Sequence, residues 1–193
     1  MNNQTSPVIR LQTPLEDDTV LSLKVGAQVL LSGLIYTARD AAHQRLVQAI
    51  AAGHALPISL EGQVIYYVGP APARPGEVTG PAGPTTASRV DPYTPPLLER
   101  GLKGVIGKGK RSMAVRQALV AYRAVYFVAV GGAAALIADC IKKLDLVAYP
   151  ELGTEAIYRL EVVEFPLLVA NDAYGADLYE LGQAAYRREQ AIR

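Results

Sequence analysis

Residues 104–130 read GVIGKGKRSMAVRQALVAYRAVYFVAV. Val105-Ile106 is a short apolar strand, Ser112 to Tyr122 repeats its apolar residues at helical spacing, and Ala124 to Val130 is again an unbroken apolar run. Outward from this core the alternation continues. A helix at Leu97–Arg100 precedes it, and a helix at Ala133–Lys143 and a strand at Leu146–Tyr149 follow. Strands separated by helices in this way argue for an α/β fold with parallel strands and helical crossovers. Ala156–Val163 and Leu167–Asn171 add two strands, and Asp177–Gln190 reads as a polar terminal helix.

Toward the amino end the pattern is richer in strand. Pro7 to Leu23 and Ala27 to Tyr36 alternate apolar and polar residues, with Lys24-Val25-Gly26 as the turn between them. Thr37 begins a helix whose apolar stripe is Ala42, Leu46, Ala49 and Ile50, and Gly53 ends it. Thr37 and Asp40 approximate a capping box. Gln63–Val68 is another strand. The loop that follows, Gly69 to about Pro96, holds eight of the thirteen prolines. Loops this long inside a compact domain are usually functional or disordered, and the regular pattern on both sides favours function.

The 193 residues suit a single domain over 1–193, with residues 1–20 as an N-terminal extension and 69–96 as a functional loop. Half the residues are hydrophobic, and 19 basic against 18 acidic residues give a net charge of +1. That balance argues against a general attraction to nucleic acid or to an anionic membrane, so an anion site must be made locally. No apolar run reaches membrane-spanning length and no signal-peptide layout opens the chain, so a cytoplasmic location is expected. Cys140 is the only cysteine, which excludes an intrachain disulfide and a cluster held by thiolates of this chain alone.

Candidate site residues lie on segments rich in glycine and proline. Arg39 stands at the start of the helix after Thr37, where the macrodipole disfavours a cation. It is explained either by an anion in front of it or by a salt bridge to Asp40 or another carboxylate. His43, one turn on, reads as a packed or hydrogen-bonding residue. Gly83-Pro84-Thr85-Thr86, with Arg89 and Asp91, is followed by Gly107-Lys108-Gly109. Three cations (Arg39, Arg89 and Lys108) and two hydroxyls (Thr85 and Thr86) suit a ligand with more than one carboxylate. Taken singly, each is also an ordinary loop brace or surface charge. Gly104 to Arg111 approaches a P-loop but has Arg111 where a magnesium-binding hydroxyl is required. Gly131-Gly132 could seat a phosphate or simply let a helix pack closely on the sheet.

In order along residues 20–180, six segments resemble the β subunit, or C-terminal domain, of class I iron–sulfur fumarate hydratases and L-tartrate dehydratases. They are Tyr36 to His43, Tyr67 to Pro72, Gly83 to Thr86 with Arg89 and Asp91, Ile106 to Gly109, Gly131 to Ala135, and Glu151 to Ala156. The departures are Val90, where methionine is common, and Pro81, where a small residue is common. The resemblance implies a swivelling β/β/α fold and a partner α subunit, in an α2β2 assembly, whose cysteines hold a 4Fe-4S cluster with one open iron. It further implies reversible dehydration of (S)-malate to fumarate, or of L-tartrate to oxaloacetate. Arg39, Arg89 and Lys108 match the substrate-carboxylate ligands and Thr85 the catalytic base, while Asp40, His43, Gly83, Thr86 and Asp91 support them and no metal ligand lies in this chain. A non-catalytic module that binds dicarboxylates or nucleotides is the alternative from another class.

Overall fold

The computed structural model describes residues 7–129 and 134–191. Its strands are β1 (Ile9–Gln12), β2 (Gln28–Thr37), β3 (Val64–Tyr66), β4 (Gly104–Gly107), β5 (Val125–Val128), β6 (Ile141–Ala148) and β7 (Ile157–Asn171). Its helices are α1 (Asp17–Ser22), α2 (Asp40–Ala51), α3 (Thr94–Glu99), α4 (Met113–Ala121), α5 (Ala134–Cys140) and α6 (Leu178–Ala191). The strands form one sheet in the order β1-β2-β3-β4-β5-β7-β6, and β2 also pairs with β7. That extra pairing closes β2, β3, β4, β5 and β7 into a barrel, so the molecule is a mixed α/β domain built on a sheet barrel.

β1 to β5 are mutually parallel, with α2 crossing from β2 to β3, α3 leading into β4, and α4 crossing to β5. The expected parallel sheet is therefore present as far as β5. Beyond it the pattern changes: β7 runs antiparallel to β2, β5 and β6. Successive residues of the central strands belong to two apolar clusters, as the strand period of two requires. Val64, Tyr66, Ile106, Val125, Phe127 and Phe165 join the cluster inside the ring. Ile65, Tyr67, Val105 and Tyr126 face the other way and pack with Ala42, Leu46, Leu97 and Leu119 of the covering helices.

Several element boundaries differ from the sequence reading. Within Pro7–Leu23 only Ile9–Gln12 is strand, and Asp17–Ser22 is helix, its first turn carrying Asp17 and Asp18 where the dipole favours acids. Residues 9–22, mostly assigned to an extension, thus belong to the fold. The helix expected over Ala133–Lys143 ends at Cys140, because Ile141 to Ala148 pairs along β7. The two strands expected at 156–163 and 167–171 are one strand through Pro166, kinked at Glu164, whose φ is 52° and whose N–H donates to Ser32 Oγ at 3.0 Å. The stretch 69–96 is not all loop: Ala87–Val90 is a 3₁₀ turn and α3 begins at Thr94.

Candidate active site

The candidate residues follow the carboxyl ends of neighbouring parallel strands, where open α/β sheets place ligands. Thr37 closes β2 rather than opening a helix. Its buried hydroxyl donates to the Ala156 carbonyl at 3.3 Å and accepts from Tyr158 N–H at 3.0 Å, so it caps nothing. Arg39 is the residue just before α2, with extended backbone, and no side chain of its own caps that helix. Glu155 does so from across the fold, its Oε2 accepting from Ala41 N–H at 3.1 Å.

Glu155 also explains how an arginine sits at a helix start. Its Oε1 lies 3.4 Å from Arg39 Nη2, and Asp40 Oδ2 lies 3.8 Å from the same nitrogen. Asp40 Oδ1 meanwhile accepts from Arg89 Nε at 3.0 Å. One carboxylate is thus shared by two of the three candidate cations. Gly69 lets Arg39 lie flat on the loop after β3, since a Cβ there would stand 3.3 Å from Arg39 Nη1 and 2.9 Å from the Thr154 carbonyl.

His43 is fully buried, and its ring Nδ1 lies 2.9 Å from the Arg39 carbonyl. A carbonyl only accepts, so Nδ1 carries the proton and Nε2, buried and without a partner, is a bare lone pair. Burial pushes its pKa down to about 4, against the pull of the Arg39 carbonyl bond. His43 is therefore neutral at ordinary pH, with its ring in a T-shaped contact with Tyr67 at 5.2 Å.

Thr85 is wedged between the ends of β3 and β4. Its N–H donates to the Tyr67 carbonyl at 2.7 Å, its Oγ1 donates to the same carbonyl at 2.8 Å, and its own carbonyl accepts from Lys108 N–H at 3.1 Å. Thr86 pairs with Lys108 as an isolated parallel bridge, and Ala87 N–H donates to the Lys108 carbonyl at 2.9 Å. Gly83 leads into this segment from Ala82, whose carbonyl accepts from Tyr66 OH at 2.6 Å. The side chains of Thr86, Arg89 and Lys108 are exposed, and that of Lys108 has no hydrogen bond or ion pair among the described residues. The structure thus makes two joined pairs, Arg39 with Arg89 through Asp40 and Thr85 with Lys108 through the backbone. Gly131-Gly132 lies outside the described residues.

Asp91 faces inward. Its Oδ1 accepts from Arg111 Nε at 2.7 Å and its Oδ2 from Ser112 N–H at 2.7 Å, at the start of α4. Arg111 is buried, donating also to Tyr67 OH at 3.1 Å and to Thr94 Oγ1 at 2.7 Å. Burial opposes its charge, but Tyr67 and Asp91 outweigh that and hold its pKa above the usual arginine range. Sequence reasoning met Arg111 as a departure from the P-loop and Tyr67 and Glu155 within resembling segments, but assigned none of them to the site: a basic residue after a glycine turn, one tyrosine in an apolar run, and an acid 116 positions from Arg39.

Comparison with known proteins shows the family of the chain. Residues 1–182 match the family described as Fumarase C-terminus. The chain belongs to that family. Over 158 residues, 81% of this chain and 29% of the other, it is 40% identical to the anaerobic class I fumarate hydratase of Escherichia coli. Over 179 residues, 91% of this chain and 32% of the other, it is 36% identical to fumarate hydratase 2 of Leishmania major. A Methanocaldococcus jannaschii protein named as an L(+)-tartrate dehydratase subunit beta is 37% identical over 167 residues, 83% of this chain and 86% of that one. This fumarase C-terminus chain therefore spans about a third of the fumarate hydratases it matches, but nearly the whole of a relative named as a separate subunit. Among the described residues no helix is long and apolar enough to cross a membrane.

Proposed function

We propose that this chain is the β subunit of a two-subunit class I fumarate hydratase, interconverting (S)-malate and fumarate in the cytoplasm with an α partner in an α2β2 assembly. The swivelling β/β/α domain is the fold expected of that subunit. The observation that carries the reading is the row of cations at the carboxyl ends of β2 to β4. Arg39 and Arg89 share Asp40, with Glu155 beside Arg39, and the side chain of Lys108, whose backbone is bonded to that of Thr85, has no ion pair among the described residues. A dicarboxylate meets that shortage of negative charge.

In this reading Arg39, Arg89 and Lys108 bind the substrate carboxylates, and Thr85 takes the proton from the carbon next to one of them. As that proton leaves, negative charge grows on the adjacent carboxylate, and fixed cations stabilise the transition state more than the ground state. At rest the Thr85 hydroxyl donates a hydrogen bond to the Tyr67 carbonyl. To act as the base it first loses its own proton to solvent, and the positive charges that this reading sets around it, Lys108 and Arg89, lower the cost of the alkoxide. The proton taken from carbon then restores the hydroxyl. The chain's own residues do not fit a cluster. Among the described residues no group of three or more His, Cys, Asp or Glu is placed to hold a metal, and the Cys140 thiol donates a hydrogen bond to the Leu136 carbonyl at 3.5 Å. This proposal assigns the 4Fe-4S cluster to the α partner, and no step here is drawn through it.

The test is anaerobic co-purification with the α partner, followed by assays with L-malate and with L-tartrate. Fumarate as the faster product supports the proposal, and Thr85→Ala should lower its formation about 10³-fold or more. Near-normal turnover by that variant overturns the role of Thr85. Oxaloacetate from tartrate as the faster product favours a tartrate dehydratase β subunit, the second reading, which the coverage of the Methanocaldococcus relative supports. Recovery without a partner or turnover would leave a dicarboxylate-binding module.

A further inference from the structure

Arg111 is a buried cation that the proposed chemistry does not use. The turn Gly107-Lys108-Gly109-Lys110-Arg111 sends Lys108 and Lys110 to solvent, and Gly109, at φ +84°, reverses the chain so that Arg111 enters the protein. Its side chain has no exposed surface. The guanidinium lies 5.3 Å from the centre of the Tyr67 ring and 4.9 Å from that of Tyr126. A buried ion pair is a weak source of stability, because desolvation offsets most of the attraction, and an apolar residue of similar size often serves as well. Its geometry is therefore the informative feature.

Two of the three contacts of the guanidinium fork end on a candidate residue or on one that holds a candidate, and the third joins those two. Nε binds Asp91, two residues beyond Arg89. Nη1 binds the phenol of Tyr67, the residue whose carbonyl holds both the N–H and the hydroxyl of Thr85. Nη2 binds Thr94 Oγ1 at the start of α3, itself 3.3 Å from Tyr67 OH. Arg111 stands three residues after Lys108, and the Tyr126 phenol beneath it donates to the Gly109 carbonyl at 2.9 Å. The Tyr67 ring also packs in a T-shape against His43, which holds the Arg39 carbonyl.

We infer that Arg111 is a positioning residue: through Asp91 and Tyr67 it fixes Arg89, Lys108 and above all Thr85 in one arrangement. The inference rests on the proposed function, since it gives Thr85 a chemical role. Only a planar fork serves three acceptors in different directions, and lysine presents a single point charge. The link to Thr85 runs through Tyr67, so it can be cut at the phenol while the carbonyl under Thr85 remains.

The experiment compares Arg111→Lys, Tyr67→Phe, Thr85→Ser and the double variant Tyr67→Phe/Thr85→Ser in the assembled enzyme, with thermal unfolding measured on each. Tyr67→Phe covers the case in which Arg111→Lys fails to fold. We expect Arg111→Lys to lower kcat about 30-fold and Tyr67→Phe about tenfold, with unfolding of the latter shifted by only a few degrees. We also expect the Tyr67→Phe and Thr85→Ser losses not to multiply, because residues acting as one unit are non-additive. A purely structural Arg111 would give independent, multiplying losses, and that result overturns the inference. So does unchanged kcat in a folded Tyr67→Phe variant. Thr85→Ala measured alongside separates the two failures: if it is fully active the role of Thr85 falls, whereas if it is inactive beside a fully active Tyr67→Phe, only the role of Arg111 falls.

Discussion

Lys103 and Lys108 flank β4, one at each end. At the amino end Lys103 Nζ reaches Asp17 Oδ1 at 2.6 Å and the Tyr122 carbonyl at 2.9 Å, and Arg123, ahead of β5, binds Asp17 Oδ2 at 2.8 Å. At the carboxyl end Lys108 has no partner among the described residues, and Arg39 and Arg89 divide Asp40, with Glu155 beside Arg39. The same residue types on the same strands are thus used in two ways. A cation met by its own carboxylate ties elements together, and in the proposed function one left short of negative charge keeps its field for a ligand.

That contrast predicts the largest effect at Lys108. In the assembled enzyme Lys108→Ala should lower kcat/KM about 10³-fold with the fold intact, while Lys103→Ala stays within about threefold. Steady-state kinetics with malate on both variants checks it. Equal losses at the two lysines would erase the distinction between the ends of the sheet.

His43 predicts the next largest effect, on stability. Its folded pKa of about 4 lies below the unfolded value of 6.5. The unfolded chain therefore takes up a proton first, and stability that is fully present above about pH 6.5 is lost as pH falls toward 4. At about 1.4 kcal/mol per unit, that loss reaches about 3 kcal/mol. Urea unfolding at about pH 7 and pH 4.5 should show wild type losing about 2 kcal/mol more than His43→Leu. Identical losses in the two would mean that the imidazole is solvated and that the carboxyl end is looser than its contacts imply.

How far the sequence discloses these two ends follows from what is local. The βα alternation from Leu97 to Val128 is carried by periodicity, so β4, α4 and β5 are legible, and so is the clustering of Thr85, Arg89 and Lys108 on glycine- and proline-rich segments. Antiparallel closure is not legible. Only Leu146 to Ala148 of β6 is legible as strand, because the rest of Ile141 to Ala148 is strand through its pairing with β7. The two strands expected at 156–163 and 167–171 are one strand carried through the kink at Glu164. Sorting the cations requires distance as well as spacing. Lys108 and Arg111 are three residues apart and look equivalent in sequence, yet the first is exposed and the second wholly buried. Of the two readings open for Arg39, the ion pair is present, but its nearer partner, Glu155, lies across the fold.

The smallest expected effect is at Asp17, and it completes the contrast from the amino end. Lys103 and then Arg123 hold its carboxyl below the usual carboxylate range, so its contribution is present above about pH 4 and fades as pH falls below that. The Asp17 side chain is 39% exposed and Lys103 only 13%, so solvent screens the cluster in part. Asp17→Asn should then cost about 1 kcal/mol of stability, less in about 0.5 M salt, and leave turnover unchanged. Denaturant titrations at two salt concentrations, beside the activity assay, check both halves. A rate loss without a stability loss would mean that the amino end also feels the substrate, because a carboxylate that only braces two strands changes unfolding and leaves kcat alone.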